Sequence, residues 1–159
     1  MVESGGKVRI IARNRKARHD FEIISRIEAG IELVGTEVKS LRDGKVTITD
    51  SYATISGGQV FLKNLHIPPY HQAAGENHEP DRTRRLLLHK REIRKLTAKT
   101  QQQGLTLIPL SIYIKGPRIK VELALAAGRR KYDKRQAIAK AEADRKIRIA
   151  TQRSLKGNQ

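Results

Sequence analysis

The chain has no cysteine, no tryptophan, one methionine and only six aromatic residues in 159. Without cysteine there can be no disulfide, thiolate metal site or cysteine nucleophile, so packing alone must hold the fold, as a reducing compartment permits. Six rings (Phe21, Tyr52, Phe61, Tyr70, Tyr113 and Tyr132) are too few for a platform that stacks successive unpaired bases. No run of about eighteen apolar residues exists to cross a membrane, and residues 1–6, read as a flexible arm, lack the apolar stretch of a signal peptide. The chain is therefore expected in the cytoplasm, with no membrane partner. Glycine patterns of nucleotide-binding loops, His-Glu-Xaa-Xaa-His and Gly-Xaa-Ser-Xaa-Gly are all missing, so no catalytic residue and no cofactor is expected. The trio His66, His71 and His78, with Glu76 and Glu79 nearby, has no regular ligand spacing and reads as loop surface rather than a metal site.

Negative charge is also scarce. Thirty-three Lys and Arg against sixteen Asp and Glu leave +17. A field of that sign suits a polyanion through counterion release and steering, which makes nucleic acid the first partner to consider and an anionic membrane the second. The excess is spread over two segments. Residues 129–159 carry eleven Lys and Arg against Asp133, Glu142 and Asp144, a net +8, which leaves +9 on residues 1–128. The boundary between a folded body and a basic tail falls there.

The body reads as mainly β. Residues 118–125 alternate at period two, with Ile119, Val121, Leu123 and Leu125 on the apolar face. Residues 106–114 put Ile108, Leu110, Ile112 and Ile114 on one face, and Lys115-Gly116-Pro117 supplies the turn between the two strands. A second hairpin is expected from 47–55 and 59–65 around Ser56-Gly57-Gly58, and a third from 21–27 and 31–34 around Ala29-Gly30. Six short strands point to a small antiparallel barrel of the oligonucleotide-binding type. Helices are expected over 89–99, stopped by Gly104, and over 36–41, ending at Asp43-Gly44. Residues 66–85 read as a long loop. Phe21, Tyr52, Phe61 and Tyr113 read as core residues on strands.

Arg13-Asn14-Arg15-Lys16-Ala17-Arg18-His19 lies between strand patterns and reads as a polar loop, with Arg15, Lys16 and Arg18 as phosphate contacts. In the tail, residues 136–147 are good helix formers, with Glu142/Lys146 and Asp144/Arg148 as i,i+4 pairs. The apolar residues there are mostly alanine. A lone helix of this kind is marginal in water, so the tail is expected to be disordered when free and helical on a polyanion.

Several segments in their order resemble the small protein B (SsrA-binding protein) family. They are Asn14-Arg15-Lys16-Ala17-Arg18-His19-Asp20-Phe21, Ile27-Glu28-Ala29-Gly30-Ile31, Gly35-Thr36-Glu37-Val38-Lys39-Ser40-Leu41-Arg42, Asp50-Ser51-Tyr52, the run from Asp81 to His89, and Lys131-Tyr132-Asp133-Lys134-Arg135. The resemblance implies an oligonucleotide-binding barrel with about three helices. It also implies an adaptor for transfer-messenger RNA (tmRNA), one protein per RNA, that holds the tRNA-like domain and stands where a tRNA has its anticodon arm on a stalled ribosome. By position, Asn14, Glu28, Leu87 and Lys120 match residues at or supporting the tmRNA contact. Tyr132, Asp133, Lys134 and Arg135 match the segment placed at the decoding centre, and the helix beyond, with Lys140, Arg145, Lys146 and Arg148, would follow the empty mRNA channel. Some relatives have His at Tyr132, and Thr97 and Ile114 stand where relatives often have aromatic rings. The alternative from composition alone is a structural ribosomal protein with a small barrel and basic tail, which motif order disfavours.

Overall fold

The computed structural model describes residues 7–157, without the side chains of 102–103, 130–137 and 153–157. The arm expected over 1–6 lies outside the described residues. Two compact units emerge, Met1–Ala127 and Gly128–Gln159.

In the first unit the elements run β1 (Val8–Arg13), α1 (Arg15–Asp20), β2 (Phe21–Ile31), α2 (Gly35–Arg42), β3 (Tyr52–Ser56), β4 (Gln59–Lys63), β5 (Arg84–Leu87), α3 (Lys90–Gln103), β6 (Thr106–Lys115) and β7 (Arg118–Gly128). The second unit is one helix, α4 (Arg129–Gly157), whose described side chains from 138 to 152 are all exposed.

Seven strands, not six, form the sheet, in the order β1-β6-β3-β4-β5-β2-β7 with β6 also paired to β7. The ladder therefore returns to its start through β6, β3, β4, β5, β2 and β7, and those six strands close a ring. β1 extends the edge of β6, pairing with Ser111 to Lys115 while β3 meets the same strand at Leu107. Closure removes most free edges.

Several further expectations are corrected. The hairpin expected around Ala29-Gly30 is one continuous strand, β2. Gly30 serves close approach instead of a turn: it pairs with Leu87, and a Cβ at Gly30 would lie 3.2 Å from the Leu87 Cβ. Arg84 and Arg85, expected in a loop, open strand β5. The basic cluster after Arg13 is not a loop but the helix α1. The other turns follow the sequence more closely. Gly57 and Gly58, both at positive φ, join β3 to β4, and Gly104 at φ +63 ends α3.

The β6–β7 hairpin shows how one extra residue divides a strand. Pro109 faces Leu123 and Ser111 faces Glu122, so Leu110 bulges out of the ladder and the side-chain alternation of β6 reverses there. Leu107, Ile112 and Ile114 face the main core with Ile119, Val121, Leu123 and Leu125. Ile108 and Leu110 instead join Ala124, Ala126 and Ala17 of α1 in a second apolar cluster. The single apolar face expected for β6 is thus two faces. Of the aromatic residues expected in the core, Tyr52 is exposed and Phe21, Phe61 and Tyr113 are only half-buried.

The main core also encloses charge. Glu37 on α2 and Arg84 on β5 are both fully buried and paired through Arg84 Nε and Glu37 Oε2. Arg82 Nη2 donates to Glu37 Oε1 at 2.6 Å, and the Val34 N–H donates to the same oxygen at 2.9 Å, closing the first turn of α2. Arg84 Nη1 donates to the Leu65 carbonyl at 2.6 Å and Nη2 to the Pro80 carbonyl at 3.0 Å. Burial pushes the Glu37 carboxyl up. The bonds from Arg82, Val34 and Arg84 outweigh that and hold it below the usual carboxylate range.

Removing one partner of such a pair leaves an uncompensated charge in the core, so Glu37→Gln should lower unfolding free energy by about 3–5 kcal/mol at neutral pH. Because the folded pKa is depressed, this contribution is complete above the unfolded value of about 4.3 and is lost as pH falls through the folded one. Urea unfolding from pH 7 to pH 3 should show the gap between wild type and variant narrowing only below about pH 4. A gap of constant size would contradict the charged pairing.

Candidate nucleic-acid interface

Asn14 is the first residue singled out by sequence, and it is 2% exposed. Its backbone N–H donates to the Leu110 carbonyl at 2.7 Å and its side-chain amide to the Pro109 carbonyl at 3.0 Å, the two carbonyls of the bulge. Its Oδ1 accepts from the Ala17 N–H at 3.1 Å and caps α1. One buried amide therefore fixes both the bulge in β6 and the start of the helix that carries Arg15, Lys16 and Arg18. All three of these cations are exposed. Lys16 pairs with Asp50 at 3.0 Å, and the Asp50 hydrogen bond raises its pKa. Arg18 approaches Glu122 of β7 at 3.8 Å.

A second group gathers where β2, β5 and β7 meet. Glu28, Leu87 and Lys120 line one open groove together with Gly30, His89 and Arg118. Leu87 is 46% exposed there, an apolar side chain among charges, held by its pairing with Gly30. Across the β6–β7 hairpin Tyr113 pairs with Lys120 and Lys115 with Arg118, on the face opposite the main core. Glu28 reaches over this face. It accepts from the Tyr113 hydroxyl, and Lys115 Nζ lies 3.4 Å from both of its oxygens. The Tyr113 bond, with help from Lys115 and Lys120, keeps the Glu28 carboxyl below its usual range; burial and the same bond push the Tyr113 phenol up, so its proton stays in place.

The two groups adjoin. Glu122, which meets Arg18 of α1, also approaches Arg26 of β2 at 3.9 Å and lies two residues from Lys120. Arg18, Arg26, Lys115, Arg118 and Lys120 thus form a belt in which Glu28 and Glu122 are the interspersed carboxylates. Arg118 has no ion-pair partner among the described residues. Gly30, His89, Tyr113, Lys115 and Arg118 are not among the site residues expected from the sequence. Pairing through the Gly116-Pro117 turn, read at period two from Lys120, is the signal that locates the last three.

A separate groove lies on the other side of α3, lined by Ile55, Gln59, Lys90, Arg94, Thr97 and Gln101. Two histidines of the loop trio have separate partners. His78 is buried between the Thr36 hydroxyl and the Ile67 carbonyl, His66 meets Asp81 at 2.8 Å, and no metal-binding group of His, Asp and Glu occurs among the described residues. No described helix is long and apolar enough to cross a membrane. On α4, Lys140, Arg145, Lys146 and Arg148 are exposed, whereas the side chains of Tyr132, Asp133, Lys134 and Arg135 lie outside the described residues.

Comparison with known proteins gives a consistent result. The family model for SmpB protein matches residues 11–153. An SsrA-binding protein of Halothermothrix orenii is 58% identical over 90% of this chain and 92% of its own length. One of Acidothermus cellulolyticus is 55% identical over 98% and 97% respectively. A chain solved in a study of tmRNA-SmpB at the center of the bacterial ribosome is 52% identical, with a TM-score of 0.62 over 74% of this chain and 82% of that one.

Asn14 can be tested without any ligand. Asn14→Ala removes the cap of α1 and leaves the Pro109 carbonyl without its donor, and should destabilise the fold by about 1–3 kcal/mol in urea unfolding. An unchanged midpoint would show that the bulge and helix need no such link.

Proposed function

The chain belongs to the SmpB protein family, and from that premise we propose that it is a tmRNA-binding adaptor of trans-translation, acting by recognition and not as an enzyme. The observation that carries this reading is the cationic belt from α1 to the β6–β7 hairpin. It offers phosphate contacts along a curved surface with one exposed leucine and few rings, which suits structured RNA read by shape. In this reading Arg15, Lys16, Arg18, Lys120 and Leu87 meet the tRNA-like domain, and Asn14 acts from beneath by fixing α1.

The protein would work in the cytoplasm, one copy per tmRNA, carrying the RNA to the vacant A site of a stalled ribosome in place of an anticodon arm. The tail supplies the second contact. Tyr132 to Arg135 would reach the decoding centre, with Lys140, Arg145, Lys146 and Arg148 on rRNA phosphates along the empty mRNA channel. At 1.5 Å per residue the 29 residues of α4 span about 44 Å. A helix with few large apolar side chains is marginal by itself, so phosphate neutralisation of its cations would select the helical form, and an occupied channel would exclude it.

Sequencing the RNA that copurifies with the chain from bacterial cells is the direct test. A single enriched species of tmRNA is expected; equimolar rRNA alone would favour a structural ribosomal protein. Two variants sharpen it. Lys120→Ala should flatten the dependence of log Kd on log salt by about one unit with barrel stability unchanged, whereas an unchanged slope with lower stability would make Lys120 structural. Ala141→Pro, which costs an isolated helix about 3 kcal/mol, should spare tmRNA binding and abolish peptide tagging. Normal tagging by that variant would reduce the tail to an electrostatic tether.

A further inference from the structure

Glu28 stands in a cationic belt at a groove proposed to receive RNA, where a carboxylate by itself repels phosphate. Each of its oxygens already has a neighbour within the fold. One oxygen takes the Tyr113 hydroxyl, and both lie 3.4 Å from Lys115 Nζ. Tyr113 is half-buried on β6, so its ring gives Glu28 a fixed point of attachment. From there the carboxylate reaches a lysine two residues further along the same face.

Lys115 has reason to need holding. It faces Arg118 directly across the hairpin, and like charges in that position repel. Its flexible four-carbon stem lets the ammonium swing away unless something retains it. The Glu28 contact is longer than the roughly 2.7–2.9 Å of a strong charge-assisted bond, and Lys115 and Glu28 are 40% and 39% exposed. The ammonium is therefore oriented without being neutralised, and it retains donors for an outside anion.

We propose that Glu28 is a positioning residue that aims Lys115, and that Lys115 beside Arg118 is a phosphate contact of the RNA site. The chain of support runs from the Tyr113 ring through Glu28 to the Lys115 ammonium, and the phosphate relieves the repulsion between Lys115 and Arg118. The inference rests on the tmRNA-binding reading and assigns roles within that site.

Two rival accounts predict different results. If Glu28 is a bystander, its removal deletes a repulsive charge and tightens RNA binding. If Glu28 accepts directly from a ribose or base, its removal weakens binding whether or not Lys115 is present. The test is a double-mutant cycle on the full chain with Glu28→Gln, Lys115→Met and both together, measuring Kd for transcribed tmRNA over a salt series and urea unfolding of every variant. Each single change should raise Kd about fivefold to tenfold, and the double variant should bind no worse than Lys115→Met alone. Lys115→Met should also flatten the salt slope by about one unit. Tyr113→Phe, which keeps the ring but frees Glu28, should weaken binding in the presence of Lys115 and have no effect in its absence. Tighter binding by Glu28→Gln overturns the proposal, as does a loss that persists undiminished in the Lys115→Met background. If wild type binds tmRNA no better than bulk tRNA, the functional reading fails first and takes this assignment with it; additive losses in a chain that binds tmRNA selectively overturn the assignment alone.

Discussion

A buried carboxylate between two arginines holds this barrel in register. Glu37 and Arg84 are both fully buried, and an unpaired charge at such a site is costly enough that each must satisfy the other. The geometry connects parts of the chain far apart in sequence. Glu37 closes the start of α2 through Val34, Arg82 also reaches the Glu32 carbonyl just past the end of β2, and Arg84 reaches the carbonyls of Leu65 and Pro80. Strand β5 is only four residues long and would have little hold from its ladder alone. With Arg84 anchored, Leu86 enters the core and Leu87 turns outward opposite Gly30. Helix α3 begins three residues later, and Glu92 accepts the His89 N–H at its first turn. The groove that holds Leu87 therefore depends on an ion pair on the other side of the strand.

A second constraint acts at the bulge in β6. The extra residue Leu110 divides the hairpin so that its outward face is apolar near α1 and cationic near the turn. Asn14 satisfies the Leu110 carbonyl with its backbone N–H, and its side chain both donates to the Pro109 carbonyl and caps α1. The helix then covers Ile108, Leu110, Ala124 and Ala126 through Ala17 and presents its cations to solvent. Apolar packing and solvent-facing positive charge are thus set side by side, with Glu122 between them. Repulsion within the belt is moderated by two carboxylates, each placed within about one Debye length of several cations.

Much of this was legible in the sequence. Period-two alternation identified β7, the glycine stops identified the end of α3 and the β3–β4 turn, and the ordered motifs identified the family. The errors have physical causes. Ala29-Gly30 reads as a turn because glycine usually marks one, whereas here the missing Cβ admits Leu87, a long-range contact that no local pattern encodes. α1 is six residues long and has one buried residue, too short to display helical periodicity. Arg84 looks like surface because arginine is seldom fully buried unless paired, and its partner Glu37 is 47 residues away. Leu110 was assigned to the wrong face because a bulge leaves alternation in the sequence intact while reversing it in space. Among the proposed site residues, Glu28, Leu87 and Lys120 share a groove, while Lys115 and Tyr113 become visible only when the hairpin register is known.

In the function proposed above, one continuous face, from α1 across the outward side of the β6–β7 hairpin to the groove at Leu87, receives the RNA. An NMR footprint of the full chain with the isolated tRNA-like domain of tmRNA tests it most directly. The largest shifts are expected at Arg15, Arg18, Leu87, Arg118 and Lys120, with Lys90, Arg94 and Gln101 on the far side of α3 unmoved. Shifts concentrated at those last three residues, with the hairpin face silent, would contradict it.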